Sequence, residues 1–84
     1  MAIEGQISNV SSVMQTNFAT RMADDSINPN TITYIGEADA GSLSSSAVWR
    51  IKKMDTTTGT IVLWADGNAQ FDNIWDNREE LNYA

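Results

Sequence analysis

A chain of 84 residues makes one domain at most, and a domain of that size buries only roughly 60–65% of the surface its unfolded form exposes, so its own core gives a thin margin. With neither cysteine nor histidine, it has no disulfide staple and no usual structural zinc site, which makes oligomerisation or docking on a larger surface the expected source of further stability. Eleven acidic residues against five basic give a net charge of −6, which repels a phosphate backbone and argues against nucleic acid as a ligand.

The opening Met-Ala-Ile-Glu-Gly-Gln has no basic segment leading into an apolar run, and no window approaches the roughly 18 continuous apolar residues of a membrane span, so no membrane partner is expected. Residues 1–30 differ in character from the rest: Ser, Thr, Asn and Gln abound, Phe18 is the only aromatic, and Pro29 closes the segment. They read as an N-terminal arm. Ile3, Ile7, Val10, Met14, Phe18 and Met22 recur at steps of three and four, the spacing of one helical face, and are the candidate interaction residues of that arm. Gly5, Val10, Val13 and the many Ser, Asn and Thr residues are weak helix formers, so 8–24 fits either a short amphipathic helix or an extended arm. The stripe either reaches a partner surface or packs on its own domain.

Asn28-Pro29-Asn30 breaks the chain, because proline fixes its own φ and pushes the preceding residue out of the helical region. The body, 31–84, follows. Thr31–Ile35 is β-branched and aromatic and stops at Gly36, a short strand with Ile32 and Tyr34 on one face. Asp39–Ser46 has the composition of a surface loop, with Leu43 its single large apolar residue. From Ala47 to Met54 the chain alternates, Ala47, Trp49 and Ile51 on one side and Val48, Arg50, Lys52 and Met54 on the other. Asp55-Thr-Thr-Thr-Gly59 is turn chemistry, and Thr60–Ala65 is again β-rich, which predicts an antiparallel hairpin with a five-residue loop.

Asp66-Gly67-Asn68 then turns the chain sharply. Phe71, Ile74 and Trp75 have the spacing of a single helical turn, predicting a short helix or 3₁₀ segment over 70–76 that presses its aromatic face on the hairpin. Leu81 and Tyr83 alternate as in a final edge strand, the preferred reading, with a capping box from Asn77 to Glu80 as the alternative. The fold class expected is mainly β: a small antiparallel sheet or sandwich with an N-terminal arm. Its anchor is Trp64–Trp75, which holds two of the three tryptophans and one of the two phenylalanines.

The chemistry of the side chains points away from catalysis. Asp66, Asn68, Gln70 and Asp72 alternate like calcium ligands, but the sixth position is Phe71 rather than Gly and the twelfth is Asn77 rather than Glu, so turn and capping duty is preferred to metal binding. The carboxylate pairs Asp72/Asp76 and Glu79/Glu80 have little chain from which to build a cleft. Ser42, Ser44, Ser45 and Ser46 have no histidine to act as base and no Gly-x-Ser-x-Gly elbow around them. No nucleotide motif appears, and no cofactor is expected. Trp49, Trp64, Phe71 and Trp75 are the core or interface aromatics, with at least one tryptophan partly exposed. Arg50, Lys52 and Lys53 against Asp72 and Asp76 make the chain basic in the hairpin and acidic in the tail, suited to charge pairing between subunits or to a solvated face with weak local pairs.

Tyr34-Ile-Gly-Glu-Ala, Ala47-Val-Trp-Arg-Ile, Trp64-Ala-Asp-Gly-Asn, Phe71-Asp-Asn-Ile-Trp-Asp-Asn-Arg, Leu81 and Tyr83 together resemble a group of small structural proteins of tailed bacteriophages. The resemblance covers 34–83, leaves the first 33 residues outside it, and carries no enzymatic residue. It implies a non-enzymatic virion component, assembled in the host cytoplasm. The foremost expectation is a head decoration or cement protein that forms a homo-oligomer, with a trimer favoured, and bridges copies of the major capsid protein. The alternatives are a tail or fibre adaptor that binds glycans and, from another class, a phage-encoded regulator of a host protein.

Overall fold

The computed structural model describes residues 17–84. Ile3, Ile7, Val10 and Met14 of the apolar stripe lie outside the described residues. Five strands form an antiparallel sheet: β1 (Phe18–Asp24), β2 (Ile32–Asp39), β3 (Ala47–Asp55), β4 (Ile61–Trp64) and β5 (Asn73–Ile74), followed by a 3₁₀ helix, Trp75–Glu80. The first four lie in sequence order, and β5 pairs with β3. The mainly β fold expected from the sequence is the fold observed.

The helical reading of the arm does not hold for its last third. Phe18–Asp24 pairs along its whole length with β2, from Phe18 opposite Asp39 to Asp24 opposite Thr33. The sheet therefore begins before residue 31, and Pro29 sits in the turn between two paired strands. Phe18 and Met22, four apart as on a helix, also have the even spacing that puts two strand residues on one face, and the pairing opportunity with β2 decides between the two. The loop that follows is held by Asp25, whose Oδ2 accepts the amides of Ile27 and Asn28 at 3.1 and 2.9 Å.

β2 runs on through Gly36 to Asp39 instead of ending at the glycine. A Cβ at Gly36 would stand 2.5 Å from Cε3 of Trp75 and 3.3 Å from Cε3 of Trp49, so here the glycine is the seat of an aromatic ring rather than a strand terminator. The β3–β4 hairpin forms as expected, with Lys52 opposite Trp64 and Asp55 opposite Ile61. Asp66 (φ 60°) and Gly67 (φ 74°) then make consecutive left-handed turn residues. This is the backbone of a type I′ turn, and Asn68 donates its amide back to the Ala65 carbonyl at 3.4 Å.

The segment 70–76 is not a helical turn. β4 covers β3 only from Lys52 to Asp55, and Asn73-Ile74 pairs with the same edge further along, at Ala47 and Trp49. Unpaired strand edges demand partners, and this extended pairing displaces the local helical pattern. The 3₁₀ helix starts instead at Trp75 and occupies 75–80, so the expected final strand shrinks to one bridge between Ala65 and Tyr83. No side chain caps its start at Ile74, so the capping-box reading from Asn77 is not met either.

Tyr34, Ala38, Trp49, Ile51, Ala65 and Trp75 form the core, with Ala19, Ala23, Ile32, Leu81 and Tyr83 packed against it. Trp49 and Trp75 meet at a tilted 43°, with ring centroids 6.0 Å apart. Arg78 also lies over Trp75, its Cζ 4.7 Å from the ring centroid. Polar ties fasten this cover: Trp49 Nε1 donates to the Leu43 carbonyl (2.9 Å), the Asp76 amide to the Ser44 carbonyl (3.1 Å), and Tyr83 Oη to the Arg78 carbonyl (2.8 Å). The Ser26 amide and hydroxyl both donate to the Glu79 carboxylate, at 3.1 and 2.6 Å, tying the β1–β2 turn to the 3₁₀ helix.

Candidate interaction surface

Directly opposed residues in an antiparallel sheet point to the same face, so the register sorts the side chains into two sets. Ala19, Arg21, Ala23, Tyr34, Gly36, Ala38, Trp49, Ile51 and Lys53 take the inner face, under the 3₁₀ helix and the C-terminal segment. The outer face is crossed by three rows: Thr20–Glu37–Arg50, Met22–Ile35–Lys52–Trp64, and Asp24–Thr33–Met54–Val62. Phe18 and Val48 extend it at one end, and Phe71 reaches it from the connection between β4 and β5.

This outer face is open and mixed, with exposed apolar side chains set among charged and hydroxyl ones. Phe18, Met22, Val48, Val62 and Phe71 are exposed, Met22 by 65%, whereas Trp49 and Ile51 one position away on the other face have no exposed area. Phe18 and Phe71 stack nearly parallel, 7° apart with centroids 5.7 Å apart. Arg50 sits among them: its Cζ is 4.7 Å from the Phe71 ring centroid, 5.5 Å from Phe18 and 5.9 Å from Trp64. The same guanidinium holds Glu37 Oε1 through Nη2 at 2.7 Å and Nε at 2.8 Å. Lys52 lies 5.3 Å from the Trp64 ring. At the end of the face where β1 begins, Phe18, Asp39, Val48 and Phe71 line a shallow hollow of about 400 Å³.

The anticipated site residues therefore divide. Trp49 and Trp75 are core, Trp64 is half-buried, and Phe71 is exposed on the outer face, not pressed on the hairpin's buried side. Arg50 and Lys52 share the outer face, while Lys53 is on the inner one, 5.3 Å from the ring of Tyr83. Asp72 accepts a bond from Asn73 Nδ2 at 3.2 Å, and Asp76 lies in the first turn of the 3₁₀ helix; among the described residues Arg50 pairs with Glu37 instead. Asn68 caps its own loop by accepting the Gln70 amide at 2.9 Å.

One buried polar pair has no local signal in the sequence. Tyr34 Oη donates to Asp25 Oδ1 at 2.6 Å, and both residues are buried. That bond, with the Asn28 and Ile27 amides, holds the Asp25 carboxyl below its ordinary 3.8. Burial, and then the same carboxylate, push the Tyr34 hydroxyl well above its ordinary 10.0. The pair is structural: it pins the turn after β1 to the inner face of β2. Burial raises Tyr83 likewise, against the opposing charge of Arg78.

Among the described residues, no group of three or more acidic side chains is placed to hold a metal ion, and no helix is long and apolar enough to cross a membrane. No protein-family model, curated protein or solved structure matches the chain.

Proposed function

We propose that this chain is a non-enzymatic structural component of a tailed-phage particle, in the first place a head decoration or cement protein that self-associates and bridges neighbouring shell subunits. The observation that carries the reading is the open outer face. A small sheet that closes one side with aromatic and aliphatic packing, yet leaves Phe18, Met22, Val48, Val62 and Phe71 exposed on the other, has an apolar surface of the kind that marks an association site. The resemblance of 34–83 to small phage structural proteins supplies the setting.

The mechanism is passive. The inner face makes a rigid plate, and the outer face and the arm supply adhesion that strengthens a shell wherever one chain touches two subunits. The test is the copy number of this chain in purified particles, by quantitative mass spectrometry against the major shell protein. A ratio near one, or a simple large fraction of one, is expected. A few copies per particle would overturn the decoration role in favour of a tail location, and absence from particles would overturn the virion assignment.

A further inference from the structure

We infer that residues 1–16 of one copy dock on the outer sheet face of a neighbouring copy, so that the protein assembles by exchanging N-terminal arms. The inference rests on the self-association part of the reading above and not on the virion assignment.

The point at which the chain enters the sheet favours a neighbour over the chain's own face. The Ala40 amide donates to the Asn17 carbonyl at 2.9 Å, one rung beyond the Phe18–Asp39 pair, so the first described residue is still tied to the β2 end of the sheet. Met14-Gln15-Thr16, next to that tie, has no glycine, proline, asparagine or aspartate, which disfavours a tight reversal at that point and favours a neighbour's face. The segment is also long enough to cross a neighbour, since sixteen residues reach up to about 55 Å when extended, against about 30 Å for a strand as long as β3.

The chemistry of the two surfaces matches. Ile3, Ile7, Val10 and Met14 repeat at steps of four, three and four, and Glu4 is the only charged side chain among the first sixteen residues. The face they would cover carries the apolar side chains Phe18, Met22, Val48, Val62 and Phe71 between polar ones, with a hollow at Phe18 and Val48 that can take a branched side chain and, near its centre, Lys52 beside the Glu37-paired Arg50 to meet Glu4. An apolar stripe laid on the apolar side chains of a sheet face is the ordinary way to complete a second layer. Supplying that layer from another copy turns a marginal small domain into an assembly.

Because the chain has no cysteine, the exchange can be read by cross-linking single-cysteine variants of the full chain. Val10→Cys and Val48→Cys chains, mixed and mildly oxidised, should form a mixed disulfide dimer, and the double variant should give intermolecular ladders. Sedimentation should show the wild-type chain as an oligomer. The variant Ile3→Ser/Ile7→Ser/Val10→Ser/Met14→Ser should associate more than about a hundredfold more weakly, since several buried apolar side chains are lost, while its sheet still folds and unfolds at the temperature of wild type diluted to monomer. Closure of the double variant within one monomer would overturn the exchange, as would an oligomer indifferent to the four serines. A monomeric chain that is nonetheless abundant in particles would overturn it too, and would leave the virion reading standing.

Discussion

The two faces of the sheet use the same strands and end in opposite states. On the inner face the alternate residues are Ala, Tyr, Gly, Trp and Ile, and the chain from Ala65 to Ala84 folds over them with Trp75 as the plug. On the outer face Met22, Ile35, Val48, Met54 and Val62 share the strands with Thr20, Thr33, Glu37, Arg50 and Lys52, and Met22, Val48 and Val62 stay exposed. Alternation alone therefore does not say which face a protein closes. The closing element does, and here it is a C-terminal segment with a large aromatic at its start.

The contrast is sharpest in deletion of a large apolar side chain. Trp49→Ala removes a side chain with no exposed surface, leaves Ile51 and Trp75 unsupported and should cost about 3–5 kcal/mol, enough to unfold much of a domain this small. Met22→Ala on the other face should stay within about 0.5 kcal/mol for the unassembled chain. Urea unfolding of both variants at low protein concentration measures the difference. Similar losses would mean that the outer face is closed in the monomer.

Gly36→Ala probes the closing contact itself. The new methyl would fall 2.5 and 2.6 Å from two carbons of the Trp75 ring, which is buried against Trp49 and Arg78 and has little room to yield. A loss of about 1–3 kcal/mol is expected, together with a red-shifted tryptophan emission as the ring is lifted. Recovery of part of the stability on adding Trp75→Leu would identify the clash as the cause.

The buried Tyr34–Asp25 pair gives the inner face a pH signature. Asp25 has a folded value lowered from 3.8, so its contribution is complete above about pH 4 and is lost as the pH falls through the folded value. Tyr34 has a folded value raised from 10.0, so its contribution is complete below about pH 10 and is lost as the pH rises through the folded value. Tyr34→Phe should therefore be less stable than wild type at pH 7, with the gap narrowing below pH 4 and again above pH 10. A gap constant from pH 7 to pH 2 would show that the hydrogen bond is not coupled to the carboxylate's charge.

Much of this architecture is legible in the residues. The β-branched alternation of 47–54 and 60–65, the Asp-Gly turn at 66–67, and the division of Trp49 and Ile51 from Arg50 and Lys52 all follow from local chemistry. Three elements are not legible, each because a distant partner outweighs a local signal. Phe18–Asp24 has helical and strand spacing at once, and β2 chooses between them. Gly36 looks like a stop until Trp75, 39 positions later, presses on it. Phe71 and Trp75 have the spacing of one helical turn, yet the uncovered edge of β3 draws Asn73-Ile74 into the sheet and sends the two rings to opposite faces. The candidate surface is half visible, since Arg50, Lys52 and Phe71 stand out, but their gathering with Phe18 requires the β1–β2 pairing that no local pattern in the arm announces.

On the outer face, removing one ring of the stacked pair should cost little in the isolated chain. Phe18→Ala and Phe71→Ala each lose a half-exposed ring and a mutual contact worth about 0.5–1.5 kcal/mol. A double-mutant cycle by urea unfolding should return a coupling in that range. A coupling near zero would mean that the two rings do not hold each other in solution, and that the order of this end of the face comes from whatever covers it.

The smallest effect belongs to the ion pair at the centre of that face. Glu37 and Arg50 have side chains 31% and 29% exposed, so water and salt screen them, and exposed pairs contribute about 0.2–1 kcal/mol. Glu37→Gln should fall in that range and lose most of its effect in about 1 M salt. Arg50→Lys should cost more than Glu37→Gln despite keeping the charge, because an ammonium cannot bond the carboxylate through two nitrogens while also packing beside both the Phe71 and Phe18 rings. The difference between the two variants isolates the stacking from the charge. Equal, fully salt-sensitive losses would leave Arg50 a mere counter-ion, whereas a salt-resistant excess for Arg50→Lys would make it the post that holds the exposed aromatics upright for a partner.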